Sequence, residues 1–193
     1  MAMADSRGFV IWFTGLSGAG KSTLASAVAP GLRAAGRKVE VLDGDVVRLN
    51  LSQGLGFGRE DRNANVLRIG FVANLLARNG VGVVTAAISP YRESRDAIRK
   101  LVEGEGAAFV EAYVAATLEE CEARDVKGLY ALARAGQRPG FTGIDDPYEP
   151  PLAPELILPT GRESIEASRA RVLSYLEAQQ LIRAAGPFAA GRE

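Results

Sequence analysis

Short unbroken apolar runs alternate along the chain with longer stretches in which apolar positions recur every three or four residues. Phe9–Phe13 is one such run, the pattern of a strand buried on both faces. The stretch from about Lys21 to Ala35 reads as a helix stopped by Gly36. Lys38–Leu42 is a second strand, ending on Asp43, Gly44 and Asp45. A helix from about Glu60 to Arg78 carries Val66, Ile69, Val72, Ala73 and Leu76 on one face. Val81–Ile88 is a third strand, nearly all apolar and so expected inside the sheet, and Pro90 opens a helix to about Val102. Ala107–Val114 is a fourth strand, and Thr117 with Glu120 has the form of a capping box at the start of another helix. Residues 124–153 lose this rhythm to glycine, proline and charge. Leu156–Leu158 is a fifth, short strand; Thr160 and Glu163 read as the cap of a last helix, about Glu163–Ala178; residues 183–193 read as a tail.

Strands alternating with helices predict an α/β fold, a five-stranded parallel sheet with helices on both faces, in a single domain over residues 1–182. The irregular segment of about 124–150 is too long for an ordinary connection and reads as a lid. Composition narrows the chemistry. The 193 residues are 47% hydrophobic and 24% charged, and 23 Lys and Arg balance 23 Asp and Glu. That balance gives no global field to recruit nucleic acid or an acidic membrane. With no histidine, imidazole general bases and His-based zinc sites are excluded, leaving carboxylates, Lys, Arg, hydroxyls or a metal on oxygen ligands. The single cysteine, Cys121, reads as helix packing and suits a reducing compartment. The apolar runs are too short to span a bilayer, and the N-terminus has no signal-peptide pattern, so the expected location is the cytoplasm.

Gly15, Leu16, Ser17, Gly18, Ala19, Gly20, Lys21 and Ser22 match G-x-x-x-x-G-K-[ST] in full, between a strand and a helix, with Thr23 following. Consecutive backbone N–H groups in such a loop converge on phosphate oxygens, and the helix start adds its positive dipole end. Lys21 is placed for the β- and γ-phosphates of a nucleoside triphosphate, and Ser22 for Mg²⁺. No base-reading N-K-x-D of a GTPase occurs. Asp43 and Asp45, at the carboxyl end of the second strand, face the same crevice; one carboxylate could accept a proton from an attacking hydroxyl or hold the metal. Arg48, Arg59, Arg62 and Arg68 crowd the next twenty residues, suited to a bidentate grip on an anionic acceptor. Phe57, between two glycines, is a candidate stacking platform for a base.

The segments FTGLSGAGKST, LDGDVVR, GFGREDRNAN, ISPYRESRD, RDVKGLY and FTGIDDPYE, in this order, resemble the adenylylsulfate kinase (APS kinase) family from Val10 to about Glu177. The resemblance implies a P-loop kinase fold and transfer of the γ-phosphoryl of MgATP to the 3′-hydroxyl of adenosine 5′-phosphosulfate (APS). It implies that Arg48, Arg62 and Asn65 bind phosphosulfate and ribose, and that Phe57 and Phe141 sandwich the adenine of APS. The resemblance further implies that Ile88 and Ser89 line the same pocket, and that Asp45, supported by Asp43, lies near the 3′-hydroxyl and, with Ser22, the metal. On the same resemblance Lys127 would close over the phosphates, and Arg124 would lie near the ATP adenine. Ser89 is the family's active-site serine, read either as a phosphoserine intermediate or as a pocket residue; direct in-line transfer needs no such intermediate. The family further implies supply from an ATP sulfurylase and a homodimer. Leu67 stands where the family usually has arginine, and Ala131-Leu132 where lysines are common.

Overall fold

The first strand, β1 (Phe9–Thr14), is buried at all six positions and lies in the middle of the sheet, because it takes neighbours on both edges. In the computed structural model, which describes residues 7–183, five parallel strands run in the order β2-β3-β1-β4-β5. The others are β2 (Val39–Asp43), β3 (Gly82–Ala86), β4 (Ala108–Val114) and β5 (Leu156–Leu158). Side chains of a strand alternate between faces, and β1 divides accordingly. Phe9, Ile11 and Phe13 enter one core with Leu24, Val28 and Leu32 of α1 (Lys21–Ala34) and Val172 and Leu176 of α7 (Ile165–Ala178). Val10 and Trp12 enter a second core with Ile69 and Ala73 of α3 (Arg59–Ala77) and Ile98 and Val102 of α4 (Arg92–Gly104). A first strand buried at every position and apolar from Phe9 to Phe13 is therefore what a three-layer α/β/α sandwich demands. The third strand is interior as expected, between β2 and β1.

Local chemistry sets several boundaries. Thr117 and Glu120 form the complete capping box of α5 (Leu118–Arg124). The last helix differs from expectation: Ser164, not the Thr160 segment, caps α7 by accepting from the Ala167 N–H at 3.1 Å, while the Thr160 hydroxyl donates to the Ala19 carbonyl. Pro90 stays outside α4, whose N-cap is Tyr91. Two short helices were not expected, α2 (Gly44–Asn50) directly after β2 and α6 (Leu129–Arg134) inside the irregular segment. Gly70 lets α3 approach α4, since a Cβ there would meet Ile98 at 2.4 Å. Cys121 is buried and in no disulfide, in the first core. Among the described residues no helix is long and apolar enough to cross a membrane. The expected tail falls, apart from Arg183, outside the described residues.

This topology brings the phosphate loop after β1, α2 after β2 and the Ile88-Ser89 turn after β3 to one edge of the sheet. Asp43 is in register with Ala86, and Ala86 with Phe13. The irregular segment folds over the same edge, anchored in the first core by Tyr130 and Phe141.

Candidate active site

The loop between β1 and α1 turns on Gly15, Gly18 and Gly20, which have φ of 148°, 73° and 103°, a conformation glycine adopts without steric cost. Lys21 folds back over it and donates to the Gly15 and Leu16 carbonyls at 2.9 and 2.6 Å. The ammonium is 8% exposed, and burial pulls its pKa down to about 8 against the pull of Cys121, Asp45 and Asp43. Phosphate oxygens beside the ammonium would favour its charged form and raise that value again. The outer side of the loop is braced: Tyr130 Oη donates to the Ser17 carbonyl at 2.9 Å, and Arg124 spans the Gly18 and Thr160 carbonyls at 3.2 and 2.7 Å.

Asp43 caps α2 by accepting from the Asp45 N–H at 3.0 Å through one carboxylate oxygen, and accepts from the Ser22 hydroxyl at 2.5 Å through the other. Asp45 instead faces the lid and bonds Lys127. The structure thus joins Ser22 to Asp43, and Asp45 to Lys127. Among the described residues no cluster of three or more His, Cys, Asp or Glu could hold a metal by itself. A hydroxyl and a carboxylate side by side are hard oxygen donors, and they fit Mg²⁺, a cation that keeps waters and takes its remaining ligands from phosphate.

Across the cleft, Arg48 donates to the Leu55 and Gly56 carbonyls and lies over the Phe57 ring at 4.1 Å. Burial first, and then Arg62, lower its pKa. Arg62 reaches from α3 to the lid, bonding Phe57 O at 2.6 Å and also Thr142 Oγ1 and Gly140 O. Asn65 presents a buried side-chain oxygen without a partner. Phe141 is anchored edge-on against Tyr130, ring centroids 5.0 Å apart.

Ser89 closes the back wall and is 2% exposed, with φ of 43°, a left-handed conformation costly for a residue with a Cβ. Long-range bonds hold it there. Trp12 Nε1 donates to its hydroxyl at 3.0 Å, the hydroxyl bonds Thr14 Oγ1 at 3.0 Å, and Arg95 donates to its carbonyl at 2.6 Å. Arg95 is itself buried, paired with Glu111 at 2.8 Å, and reaches the Glu149 carbonyl at 2.7 Å, tying the serine turn to the lid's return.

One cavity of about 410 Å³ is lined by Lys21, Ser22, Thr23, Asp43, Asp45, Arg48, Phe57, Arg62, Asn65, Ile88, Ser89, Lys127 and Phe141. Gly15, Leu16, Ala19 and Arg124, expected in the nucleotide site, lie outside its lining; Leu16 opens on the far side of the loop. Sequence reasoning passed over Trp12, Thr14 and Arg95, which act through contacts 6 to 77 residues apart. It also passed over Thr142 and Arg138 on the lid. Thr142 adjoins the expected Phe141, and Arg138 stands in a Pro/Gly-rich loop as one more cation among many.

A profile of the adenylylsulphate kinase family matches residues 7–159. The adenylyl-sulfate kinase of Picosynechococcus sp. is 57% identical over 172 residues, 89% of this chain and 95% of that protein. A probable bifunctional SAT/APS kinase of Sorangium cellulosum is 54% identical over 88% of this chain, which spans 29% of that longer protein. The Mycobacterium tuberculosis APS kinase, solved in complex with AMPPNP and APS, superposes with a TM-score of 0.85 at 46% identity, covering 89% of this chain and 98% of that one.

Proposed function

The chain belongs to the adenylylsulphate kinase family, and on that premise we propose that it transfers the γ-phosphoryl of MgATP to the 3′-hydroxyl of APS, releasing ADP and 3′-phosphoadenosine 5′-phosphosulfate. The observation that carries this reading is that a phosphate loop and an arginine- and aromatic-lined acceptor side share one cavity, with Asp45 and Lys127 between them. On the donor side the loop N–H groups and Lys21 take the triphosphate, the lysine meeting negative charge as it builds on the transferred group. Ser22 and Asp43 would hold Mg²⁺, which supplies charge neutralisation at the β- and γ-phosphates. On the acceptor side Arg48 and Arg62 take the phosphosulfate, Asn65 its ribose, and Phe57 and Phe141 the adenine. Arg124 braces the loop from the side given to the ATP adenine.

Transfer is direct. The 3′-oxygen forms a bond to the γ-phosphorus, the bond to the β,γ-bridging oxygen breaks, and the hydroxyl proton passes to the Asp45 carboxylate. Lys127, in contact with Asp45 from the lid, neutralises charge where donor and acceptor meet. Ser89 is a wall residue, because its hydroxyl is bonded on two sides and buried. Supply by an ATP sulfurylase is supported by the bifunctional SAT/APS kinase relative; a homodimer rests on the family resemblance, and a cytosolic location on the short apolar runs and the N-terminal sequence pattern. ADP release from MgATP, followed with and without APS, tests the reading: release should depend on APS, and turnover indifferent to APS would refute it.

A further inference from the structure

Phe57 carries guanidinium groups on its ring from two directions, Arg48 at 4.1 Å and Arg138 at 4.9 Å from the centroid. Arg138 also lies 5.8 Å from the centroid of Phe141, so it covers both of the rings assigned above to the acceptor's adenine. Arg62 is close by, bonded to the Phe57 carbonyl and to Gly140 and Thr142 of the loop that carries Arg138. Two guanidinium groups therefore lie on one aromatic ring while a third arginine bonds that residue's carbonyl, and all three line the cavity.

They are not equally occupied. Arg48 already donates to two carbonyls, and Arg62 to two carbonyls and a hydroxyl with Asp146 at 4.0 Å, each keeping part of its five donors for the acceptor. Arg138 is half-buried, and among the described residues it has neither a hydrogen bond nor an ion pair, only the two rings. A guanidinium offers five donors. The neighbouring carboxylates are engaged elsewhere: Asp61 with the Gly56 N–H, Asp145 with the N–H groups of Gly140 and Phe141, and Asp146 with the Tyr91 hydroxyl.

We propose that Arg138 is a specificity-determining residue for the acceptor: the entering base displaces its guanidinium from Phe57 and Phe141, and the displaced cation pairs with the acceptor's own 5′-anion. The inference rests on the proposed function. A base and a guanidinium cannot stack on the same ring faces together, so an adenine nucleoside must break the cation–π contacts to enter. A neutral nucleoside gives nothing in exchange. A phosphosulfate gives a charge-assisted, bidentate partner. Arg138 thus couples the base slot to the anion, and discriminates by charge at the end of the acceptor remote from the reacting hydroxyl.

The test is calorimetric titration of the ADP-saturated protein, in which no transfer can occur, with APS and with adenosine. Arg138→Ala should weaken APS about tenfold, as for loss of one charged hydrogen-bonded contact, while adenosine binds as well as before or better. The preference for APS over adenosine then falls at least about tenfold. Arg138→Gln, planar but neutral, should match Arg138→Ala; Arg138→Lys should recover part of the preference. ADP affinity within about twofold of the parent shows that each variant is folded. An unchanged ratio, whether both ligands weaken alike or neither does, overturns the proposal. Wild-type protein that binds no APS would instead overturn the proposed function beneath it, so the two failures are distinct.

Discussion

Ser89 shows how much can converge on a single side chain. Its left-handed backbone, its burial and a hydroxyl held between Trp12 and Thr14 fix it in the wall with, among the described residues, no carboxylate bonded to it to take its proton, whereas Asp45 is exposed beside the lid lysine. Asp45→Asn should lower turnover by about 10²–10⁴-fold, the usual consequence of removing a general base. Ser89→Ala should keep substantial turnover yet lose stability by about 1–3 kcal/mol, since the indole N–H of Trp12 is left buried without its acceptor. Steady-state rates with thermal unfolding of both variants decide between the roles. A dead but stable Ser89→Ala enzyme, or label from ATP retained on Ser89, would establish the covalent route instead. The motif at Gly15–Ser22 was legible because its residues are contiguous and their backbone duty is local. The clamp on Ser89 was not, because Trp12 and Arg95 meet it only through the packing of β1 and α4 against the turn.

Among the elements, the long ones announced themselves and the short ones did not. The central strands β1 and β3 were visible as nearly unbroken apolar runs because a sheet covered on both faces buries every position there. Helix α2 was hidden: only seven residues long, it begins at a glycine and exposes Val46 and Leu49, so its apolar pattern names no face. Its start depends on the Asp43 cap, which a turn would use equally well. Helix α6 is six residues between Gly128 and Gly136, and glycine on both sides resembles a loop. The lid is nevertheless held by two carboxylates acting on backbone. Asp125 accepts from the Tyr130 and Ala131 N–H groups, and Asp145 from those of Gly140 and Phe141. These bonds hold both carboxyls below the ordinary aspartate value of 3.8. A carboxylate lowered in the folded state contributes stability above its unfolded pKa, and that contribution is lost as pH falls through the folded value. The lid should therefore loosen below about pH 4 while the sheet persists. Hydrogen exchange between pH 5 and pH 3, corrected for intrinsic rates, should show protection falling at Tyr130, Ala131, Gly140 and Phe141 and holding at Trp12 and Val84. Simultaneous loss at all six amides would count against it.

For the molecule as a whole, the sheet order places the first strand of the chain at its centre. β1 pairs with β3 and with β4, about 70 and 100 residues further on. Pairings so distant in sequence carry a large loop-closure cost and slow folding. A fragment ending at Gly106 keeps β1, β2 and β3 but lacks the partner of one edge of β1, so it should stay unfolded or aggregate, whereas residues 1–182 should fold. Circular dichroism and sedimentation of the two fragments would check this; a monomeric, cooperatively melting shorter fragment would contradict it. The same arrangement has a meaning during synthesis. At about 5–20 residues per second, Phe9–Phe13 leaves the ribosome several seconds before the strand that will cover its open edge exists. For that interval the most apolar piece of the nascent chain is a naked edge in a crowded cell. A chaperone that holds short apolar segments near the tunnel exit would find its binding site there, and lose it when residues 108–114 emerge.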